Sequence, residues 1–100
     1  MPHDERDAIQ HQESGSKGAF FVAAATGERL ATMTYSRANE SLVIIDHTEV
    51  DPSLGGKGVG RALLDALVGW ARHANVKVMP LCPFARAQFG KDPSIRDVLM

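Results

Sequence analysis

The sequence lacks most of the features that mark secreted, membrane-bound or nucleic-acid-binding proteins. Cys82 is the only cysteine, so the chain cannot form an internal disulfide and suits a reducing cytosol. No apolar run approaches the ~20 residues that a membrane-spanning helix needs, and the first residues do not resemble a signal peptide. The net charge of −1 offers no clustered basic excess for a nucleic acid. We therefore expect a cytoplasmic protein that binds neither membranes nor nucleic acids.

The composition predicts one small domain that follows a polar arm. One hundred residues with 44% hydrophobic content suffice for one core and are too few for two. Residues 1–17 are polar and charged, so we expect a flexible arm over residues 1–16 and a folded domain over residues 17–100. His3 and His11 in this arm are expected to be solvated. A short pairing strand around residues 8–12 remains an alternative.

The first half of the domain has the pattern of a β-sheet. Residues 19–25 and 29–35 are separated by Thr26-Gly27, which predicts a β-hairpin. Residues 42–50 begin as a continuous apolar run and end with polar residues. This pattern is typical of a central strand whose far end reaches a site, and Pro52 then prevents the strand from continuing.

The second half has the pattern of helices around one further strand. Apolar residues at helical spacing predict a helix over residues 59–74, and residues 76–81 form a short apolar strand. Pro83 opens a helix that should run to about residue 90, and Pro93 begins a last helical turn or two. This order of elements predicts an α+β fold, an α/β sandwich with a mixed sheet.

A glycine-rich turn between residues 54 and 64 directly precedes the predicted helix. Its four glycines are Gly55, Gly56, Gly58 and Gly60. Without Cβ atoms they let the backbone approach a ligand, and the unpaired amides of the first helical turn attract anions together with the helix dipole. Lys57 and Arg61 add two mobile positive charges at the same rim. We expect the turn to bind a phosphate-bearing cofactor, and a tight loop before an ordinary helix is the alternative.

Two common nucleotide-binding motifs are absent from this turn. The Walker pattern fails because no lysine and hydroxyl pair follows the last glycine. The dinucleotide fingerprint fails because the glycine spacing differs and no acidic residue about 20 positions later ends a second strand. ATP and NAD are therefore not the expected ligands.

His47 and Glu49 are candidates for proton transfer at the end of the central strand. They are two residues apart, so both side chains should leave the same face of the strand. A carboxylate beside an imidazole can fix the tautomer of the ring that takes up or releases the proton. The alternative is a pair of surface residues on a strand that has already left the core.

Cys82 lies between a predicted strand and a helix that begins with proline. Proline is favoured at the first helical position, so the thiol should occupy the N-cap, where the helix dipole favours a thiolate. Such a cysteine could be a nucleophile or could donate a proton to a departing thiolate, and a small buried hydrophobic residue is the alternative. A metal site formed by His47, Glu49 and Cys82 is not expected, because no paired ligand motif is present.

Three blocks of the sequence, in this order, resemble the GCN5-related N-acetyltransferases. The turn Gly55–Gly60 is similar to the family's pyrophosphate-binding pattern, Gln/Arg-X-X-Gly-X-Gly/Ala, with Gly55 replacing the usual Gln or Arg. His47-Thr48-Glu49-Val50, and Leu81-Cys82-Pro83-Phe84 followed by Asp92-Pro93, resemble the minimal single-domain members. These members are often called YjdJ-type or N-acetyltransferase-domain-containing proteins. The resemblance covers about residues 17–100 and implies a mixed, mostly antiparallel sheet with one central helix and short C-terminal helices.

The resemblance implies a site for acetyl-CoA or coenzyme A. Backbone amides of the glycine turn would hold the pyrophosphate, and the backbone around Glu49 and Val50 would bond the pantetheine arm like an added strand. The thioester would then arrive near Cys82. The implied cofactor-binding residues are Glu49, Val50, Gly55, Gly56, Lys57, Gly58, Val59, Gly60, Arg61, Cys82 and Phe84.

The resemblance also implies acetyl transfer to an amine, either a small molecule or a protein. The family's usual general-acid tyrosine has no counterpart, because Tyr35, the only tyrosine, lies in the hairpin, and Cys82 occupies that neighbourhood. Transfer is expected either directly, with His47 or Glu49 removing a proton from the amine, or through an acetylated Cys82. The alternative is a CoA-binding sensor or interaction module with little turnover. We expect a monomer or weak dimer.

Overall fold

The computed structural model describes residues 9–100, and its elements follow the predicted order. The strands are β1 Gln10–Ser14, β2 Lys17–Ala23, β3 Arg29–Asn39, β4 Leu42–Val50 and β5 Lys77–Pro80. The α-helices are α1 Val59–Ala74 and α2 Pro83–Lys91, and the 3-10 helices are Pro52–Leu54 and Pro93–Val98. No helix within residues 9–100 has the length and apolar character that crossing a bilayer requires.

The strands of the described region form one sheet in the order β1-β2-β3-β4-β5. The first four are antiparallel neighbours, whereas β5 runs parallel to β4, from Leu42 opposite Lys77 to Ile45 opposite Pro80. A parallel pair needs a long crossover, and α1 lies within it. The prediction of a mixed, mostly antiparallel sheet with one central helix is confirmed.

The hydrophobic core lies on one face of the sheet. Alternate strand side chains point to this face because side chains in a strand have a period of two. They are Phe20, Val22, Ala31, Met33, Tyr35, Val43, Ile45 and Val78. α1 covers them with a stripe at helical spacing, formed by Leu63, Leu64, Leu67, Val68 and Ala71. We call this helix-covered side the inner face and the opposite side the outer face.

The bounds of α1 agree with the prediction because both ends carry strong local signals. Gly58 precedes the helix with φ 73°, and Asn75 follows it with φ 59°. The Asn75 N–H donates to the carbonyl groups of Ala71 and Arg72, which is the usual way for a left-handed residue to end a helix. α2 ends at Lys91, one residue beyond the expected Gly90, and the last helical turns are a 3-10 helix.

The structure corrects the expected flexible arm over residues 10–14, which form the edge strand β1. The alternative of a short strand is therefore right in kind, although the strand lies two residues later than expected. Gly15, with φ 62°, makes the tight turn that returns the chain into β2. The other part of the predicted arm, residues 1–8 with His3, lies outside the described residues.

His11 is exposed, as the sequence suggested, but its ring also makes specific contacts. Its ring stacks on Phe20, with centroids 4.0 Å apart, and its Nε2 lies 2.6 Å from the hydroxyl oxygen of Tyr35. That hydroxyl donates to Glu13 at 3.0 Å, and Arg37 donates to the same carboxylate at 2.8 Å. We call His11, Glu13, Tyr35 and Arg37 the edge network. Its hydrogen bonds join the β1 side chains of His11 and Glu13 to the β3 side chains of Tyr35 and Arg37.

Candidate functional site

β4 and β5 pair over only part of their length, and a cleft opens beyond the last pair. The N–H groups of Leu81 and Cys82 both donate to the carbonyl oxygen of Ile45, at 3.1 and 3.2 Å. At that point the chain turns into α2, whereas β4 continues to Val50. Within residues 9–100, the end of β4 therefore has no strand partner on this side. We call the space between the end of β4, the glycine turn and α2 the wedge cleft.

The register of β3 and β4 determines which backbone groups face the wedge cleft. The Asp51 N–H donates to the carbonyl of Leu30 at 2.7 Å, and opposite residues of an antiparallel ladder alternate between bonded and non-bonded pairs. Glu49, two residues before Asp51, therefore bonds to β3 as well. The N–H and C=O groups of Thr48 and Val50 point to the cleft instead. The free backbone groups at this edge are therefore those of Thr48 and Val50 and not those of Glu49.

The glycine turn leads from the end of β4 into α1. Asp51 accepts a hydrogen bond from the N–H of Ser53 at 2.9 Å and thereby caps the 3-10 helix Pro52–Leu54. Gly56 and Gly58 follow with φ of 77° and 73°, a region that favours glycine. These two positions explain why the turn is rich in glycine independently of any ligand.

The start of α1 leaves backbone amides without helical partners. The Ala62 N–H donates to the Gly58 carbonyl at 3.0 Å, which is the first hydrogen bond of the helix. The amides of Gly60 and Arg61 precede it, so they have no carbonyl four residues earlier in the helix to bond. Both residues line the wedge cleft. The positive end of the helix dipole therefore faces the cleft.

The wedge cleft has a volume of about 580 Å³. It brings together most of the predicted cofactor-binding residues: Val50, Gly55, Gly56, Gly58, Val59, Gly60, Arg61 and Phe84. Gln88 and Lys91 also line it, and the sequence analysis missed both. Their spacing from Phe84 could have revealed them, because positions i, i+4 and i+7 share one face of a helix.

Three of the predicted cofactor-binding residues lie outside the lining of the wedge cleft. Glu49 borders a separate hollow of about 200 Å³ with Arg29 and Thr32. Lys57 has its backbone N–H turned to the carbonyl of Leu54, at 3.3 Å. The third residue is Cys82, which is buried.

Arg61 is not the mobile cation that the sequence suggested. Its guanidinium donates to Asp65 at 2.8 Å, to the side-chain oxygen of Gln88 at 3.1 Å, and to Asp92. The hydrogen bonds with Asp92 and Asp65 raise the pKa of Arg61. The Ser94 hydroxyl and Arg61 together lower the pKa of Asp92 to about 2. The Arg61 side chain therefore ties the start of α1 to the end of α2, and carboxylates already balance its charge.

Cys82 occupies the N-cap of α2, as predicted. Its Sγ accepts a hydrogen bond from the Ala85 N–H at 3.4 Å and lies 3.1 Å from the hydroxyl oxygen of Thr48. The side chain is only 3% exposed. Thr48 lies opposite Met33 of the core, so both Thr48 and Cys82 are on the inner face. Thr48 is not among the predicted site residues, although its alternation with His47 and Glu49 assigns it to that face.

A β-bulge changes the side-chain directions near the end of β4. Thr34 lies opposite His47 and Tyr35 opposite Ile45, so Asp46 is an extra residue on β4. Asp46 and His47 are consecutive, yet both border the same outer-face groove. The sequence analysis missed Asp46 because a period of two assigns consecutive residues to opposite faces.

The candidate catalytic residues lie on two faces of the sheet. His47 and Glu49 share the outer face, since both alternate with the inner-face Thr48, and their predicted shared face is confirmed. Cys82 lies on the inner face with Thr48. In residues 9–100 no three His, Cys, Asp or Glu side chains are grouped so as to hold a metal ion. The imidazole of His47 and the thiol of Cys82 therefore lie on opposite faces of the sheet.

Comparison with known proteins agrees with this geometry. A solution NMR structure of a GCN5-like protein from Staphylococcus aureus, assigned to the N-acetyltransferases, is 34% identical with a TM-score of 0.72. The match covers 93% of this chain and 89% of that one. No curated protein matches the sequence significantly.

Two more distant structures share the fold. A ribosomal-protein-alanine N-acetyltransferase from Brucella melitensis biovar Abortus 2308 is 18% identical, with a TM-score of 0.60 over 76% of this chain and 62% of that one. A Mycobacterium tuberculosis protein in complex with CoA is 19% identical, with a TM-score of 0.55 over 84% and 64%.

A family model described as GCN5-related N-acetyl-transferase matches residues 19–98, nearly the whole described region. The match includes the glycine turn, the end of β4 and the Cys82 cap. The sequence match and the fold agree, so the chain belongs to the GCN5-related N-acetyltransferases, the acyl-CoA-dependent enzymes that its three sequence blocks resemble.

Proposed function

We propose that this protein transfers the acetyl group of acetyl-CoA to an amine and that the wedge cleft binds the CoA moiety. The observation that carries the proposal is the convergence of unpaired backbone groups on one cleft. The strand edge at Thr48 and Val50 lies at one side, and the helical amides of Gly60 and Arg61 lie at the other.

The cleft fits the chemistry of CoA at both of these places. A diphosphate carries negative charge that suits unpaired amides at the positive end of a helix. The amide groups of a pantetheine arm can pair with a free strand edge in the way that an added strand would. Lys91 adds a cation on the α2 wall. Bound acetyl-CoA would supply an activated acetyl group at the point where β4 and β5 separate.

The residues of this chain support direct transfer. His47 is exposed on the outer face and can take the proton that the amine nitrogen must lose. The Val50 N–H points into the cleft and can stabilise negative charge on the carbonyl oxygen. Cys82, on the inner side, can return a proton to the sulfur that leaves. The acetyl group moves from sulfur to nitrogen. His47 then passes the proton of the amine to solvent, and solvent returns a proton to Cys82, so the net change is one proton from nitrogen to sulfur.

An acetylated Cys82 is the less favoured route. The Cys82 Sγ is buried, caps α2 and contacts the Thr48 hydroxyl, so it would have to leave both partners to attack an acetyl group. His47, by contrast, is exposed beside a groove. The geometry thus supports Cys82 as a fixed proton donor more strongly than as a nucleophile.

Calorimetric titration with CoA tests whether the wedge cleft is the binding site, by comparing substitutions of two glycines in α1. A Cβ on Gly60 would lie 3.1 Å from the Phe84 ring, so Gly60→Val pushes a cleft wall into the binding space. Gly69 is exposed, with open space around a Cβ. We expect Gly60→Val to weaken CoA binding at least tenfold and Gly69→Val to leave it unchanged. Gly58→Val is a poorer test, because φ 73° strains any side chain there.

The melting temperature of each variant controls for folding. Equal CoA affinity in a folded Gly60→Val variant would contradict the assignment of the cleft. Tight CoA binding without amine-dependent release of CoA from acetyl-CoA would contradict the transferase and favour a CoA-binding module.

Substitution of Cys82 separates the two chemical routes. Serine is a good N-cap, so Cys82→Ser keeps the cap of α2, whereas Cys82→Ala removes it. Since Cys82 is the only cysteine, a gain of one acetyl group on a thiol can be assigned by intact mass. Direct transfer predicts no such adduct and residual activity in Cys82→Ser. An adduct that an added amine discharges would establish the covalent route instead.

A further inference from the structure

The outer face of the sheet carries a second groove, larger than the wedge cleft. Its volume is about 700 Å³, and it extends from Gln12 on β1 across Ala19 and Thr34 to His47 on β4. Leu81, at the point where β5 turns into α2, closes it and is 56% exposed. We call this space the outer groove. It ends where the acetyl group would arrive.

The far end of the outer groove is basic. The Arg29 guanidinium lies 3.9 Å above the Phe21 ring and donates one hydrogen bond to Gln12 at 2.6 Å. Stacking on an aromatic ring and one fixed hydrogen bond hold the planar group in place. The remaining N–H donors can form a two-pronged contact with a carboxylate or phosphate.

The near end of the outer groove carries one carboxylate. Asp46 borders it, and Ser36 holds this carboxylate by donating to it at 2.6 Å. Lys17 donates to the Ser36 oxygen at 2.8 Å, so Ser36 links the ammonium group of Lys17 to the carboxylate of Asp46. Glu49 lies two residues beyond His47 on the same face. Asp46, His47 and Lys17 thus border the end that meets the wedge cleft, whereas Glu49 borders the separate hollow.

We propose that the outer groove binds the acceptor and selects a primary amine that carries an anionic group about 12 Å from its nitrogen. Asp46 attracts the ammonium form, which loses one proton to solvent before it attacks. His47 takes the second proton as the amide forms, and Arg29 binds the anionic end. The spacing follows from the sheet. His47 on β4 and Phe21 on β2 are separated by two strand spacings of ~4.8 Å and by two residues of ~3.4 Å along the strands, which together give about 12 Å. The inference rests on the proposed function and names the substrate class of that site.

The polarity of the groove argues against other amines. A diamine would place a second positive charge against Arg29, and a plain alkylamine would leave the guanidinium without its anion. Dinucleotides and other polyanions would place a negative charge beside Asp46. An amino carboxylate satisfies both ends at once, which is why we infer this class.

Matched linear acceptors test the inference directly. The probes are 8-aminooctanoate, octylamine and 1,8-diaminooctane, each offered with saturating acetyl-CoA while release of CoA is followed. We expect kcat/KM for 8-aminooctanoate to exceed that of the other two at least tenfold. Arg29→Gln should remove this preference by raising KM for 8-aminooctanoate, because the carboxylate of the probe then lacks its partner. Arg72→Gln, on α1 in the other layer, is the matched control and should keep the preference.

A binding measurement makes the test independent of turnover. In the presence of CoA, 8-aminooctanoate should shift the amide signals of Ala19 and Thr34 in wild type and not in Arg29→Gln. Wild-type protein that binds CoA but shows neither these shifts nor a preference among the probes would overturn the inference and leave the proposed function standing. Failure to bind CoA at all would instead overturn the proposed function and, with it, the inference.

Discussion

In the described part of the chain, polar groups are paired with one another at the β1 end of the sheet and left without strand partners at the β4 end. At the β1 end, the edge network pairs the Tyr35 hydroxyl with Glu13 and His11, and Tyr35 is fully buried. At the β4 end, the ladder stops at Ile45 and leaves backbone groups of Val50 facing a cleft. The difference shows that this small domain concentrates satisfied contacts at one end and keeps binding capacity at the other.

Glycine serves the two ends differently as well. Gly18 lies beneath the Tyr35 ring, where a Cβ would come within 2.3 Å of a ring carbon, so the absence of a side chain makes room for a buried partner. Gly56 has open space where its Cβ would be, and its φ of 77° makes the turn itself. If the two ends are independent, damage at the first should change stability, and damage at the second should change ligand affinity.

The largest expected effect is that of Gly18→Ala. The added methyl group cannot share space with the Tyr35 ring, which Phe20 and Trp70 contact on its other sides. Overpacking of this kind destabilises proteins by about 1–3 kcal/mol, and we expect the upper part of that range. Gly69→Ala is the control, because it adds a methyl group in open space on a helix and should stabilise by ~0.5–1 kcal/mol.

Chemical denaturation measures both changes in the free energy of unfolding. A Gly18→Ala variant as stable as wild type would show that the β1 end is loosely packed. If the variant is destabilised but binds CoA normally below its melting temperature, the β1 end contributes to stability and not to CoA binding.

A smaller effect is expected from Tyr35→Phe, which keeps the ring and removes the hydroxyl. His11 and Glu13 then lose the group that joins them, and a lost hydrogen bond of this kind costs about 1–2 kcal/mol. The Glu13→Gln variant and the double variant complete a cycle that measures the coupling. Additive losses in the cycle would mean that the hydroxyl and the carboxylate do not stabilise each other.

The local parts of the fold were predictable from the sequence, whereas contacts between distant segments were not. The bounds of α1 follow from apolar spacing between Gly58 and Asn75, and the N-cap role of Cys82 follows from the proline after it. The edge network joins His11 to a tyrosine 24 residues away, and no local pattern indicates such a pair.

Part of the site was equally inaccessible from sequence patterns. The bulge at Asp46 depends on how β4 is aligned with β3, which the sequence of β4 alone does not specify. Arg61 was expected to be mobile because its partner Asp92 lies at the end of α2, 31 residues away in the sequence. The glycine turn was found because its chemistry is contained in consecutive residues.

Lys91 and Arg61 provide the next test, at the binding end. Lys91 lines the wedge cleft, whereas carboxylates already balance the charge of Arg61. We expect Lys91→Gln to weaken CoA binding severalfold, more at low salt than at high salt, with no change in melting temperature. Arg61→Gln should instead lower stability by about 0.5–1 kcal/mol, as for a partly exposed ion-pair network, and affect CoA binding less. The reverse pattern would mean that Arg61 leaves its carboxylates to bind the ligand.

The smallest expected effect is the pH dependence that His11 gives to the β1 end. Burial, followed by the charge of Arg37, lowers the pKa of His11, although Glu13 opposes the shift. The unfolded chain therefore takes up a proton more readily than the folded one below the ordinary histidine pKa of about 6.5. Stability should thus fall as the pH decreases from 7.5 to 5.5. The hydrogen bond from Arg37 lowers the pKa of Glu13, and its contribution is lost only at lower pH.

Comparison with His11→Phe isolates this contribution, because a phenyl ring can keep the stacking on Phe20. The difference in unfolding free energy between wild type and variant should shrink toward pH 5.5, since the proton linkage acts only on wild type. Affinity for CoA, measured over the same range, should not follow that difference, because the wedge cleft lies at the other end of the sheet. A difference that stays constant with pH would show that His11 titrates alike in the folded and unfolded chains, so its ring would contribute only packing to the edge network.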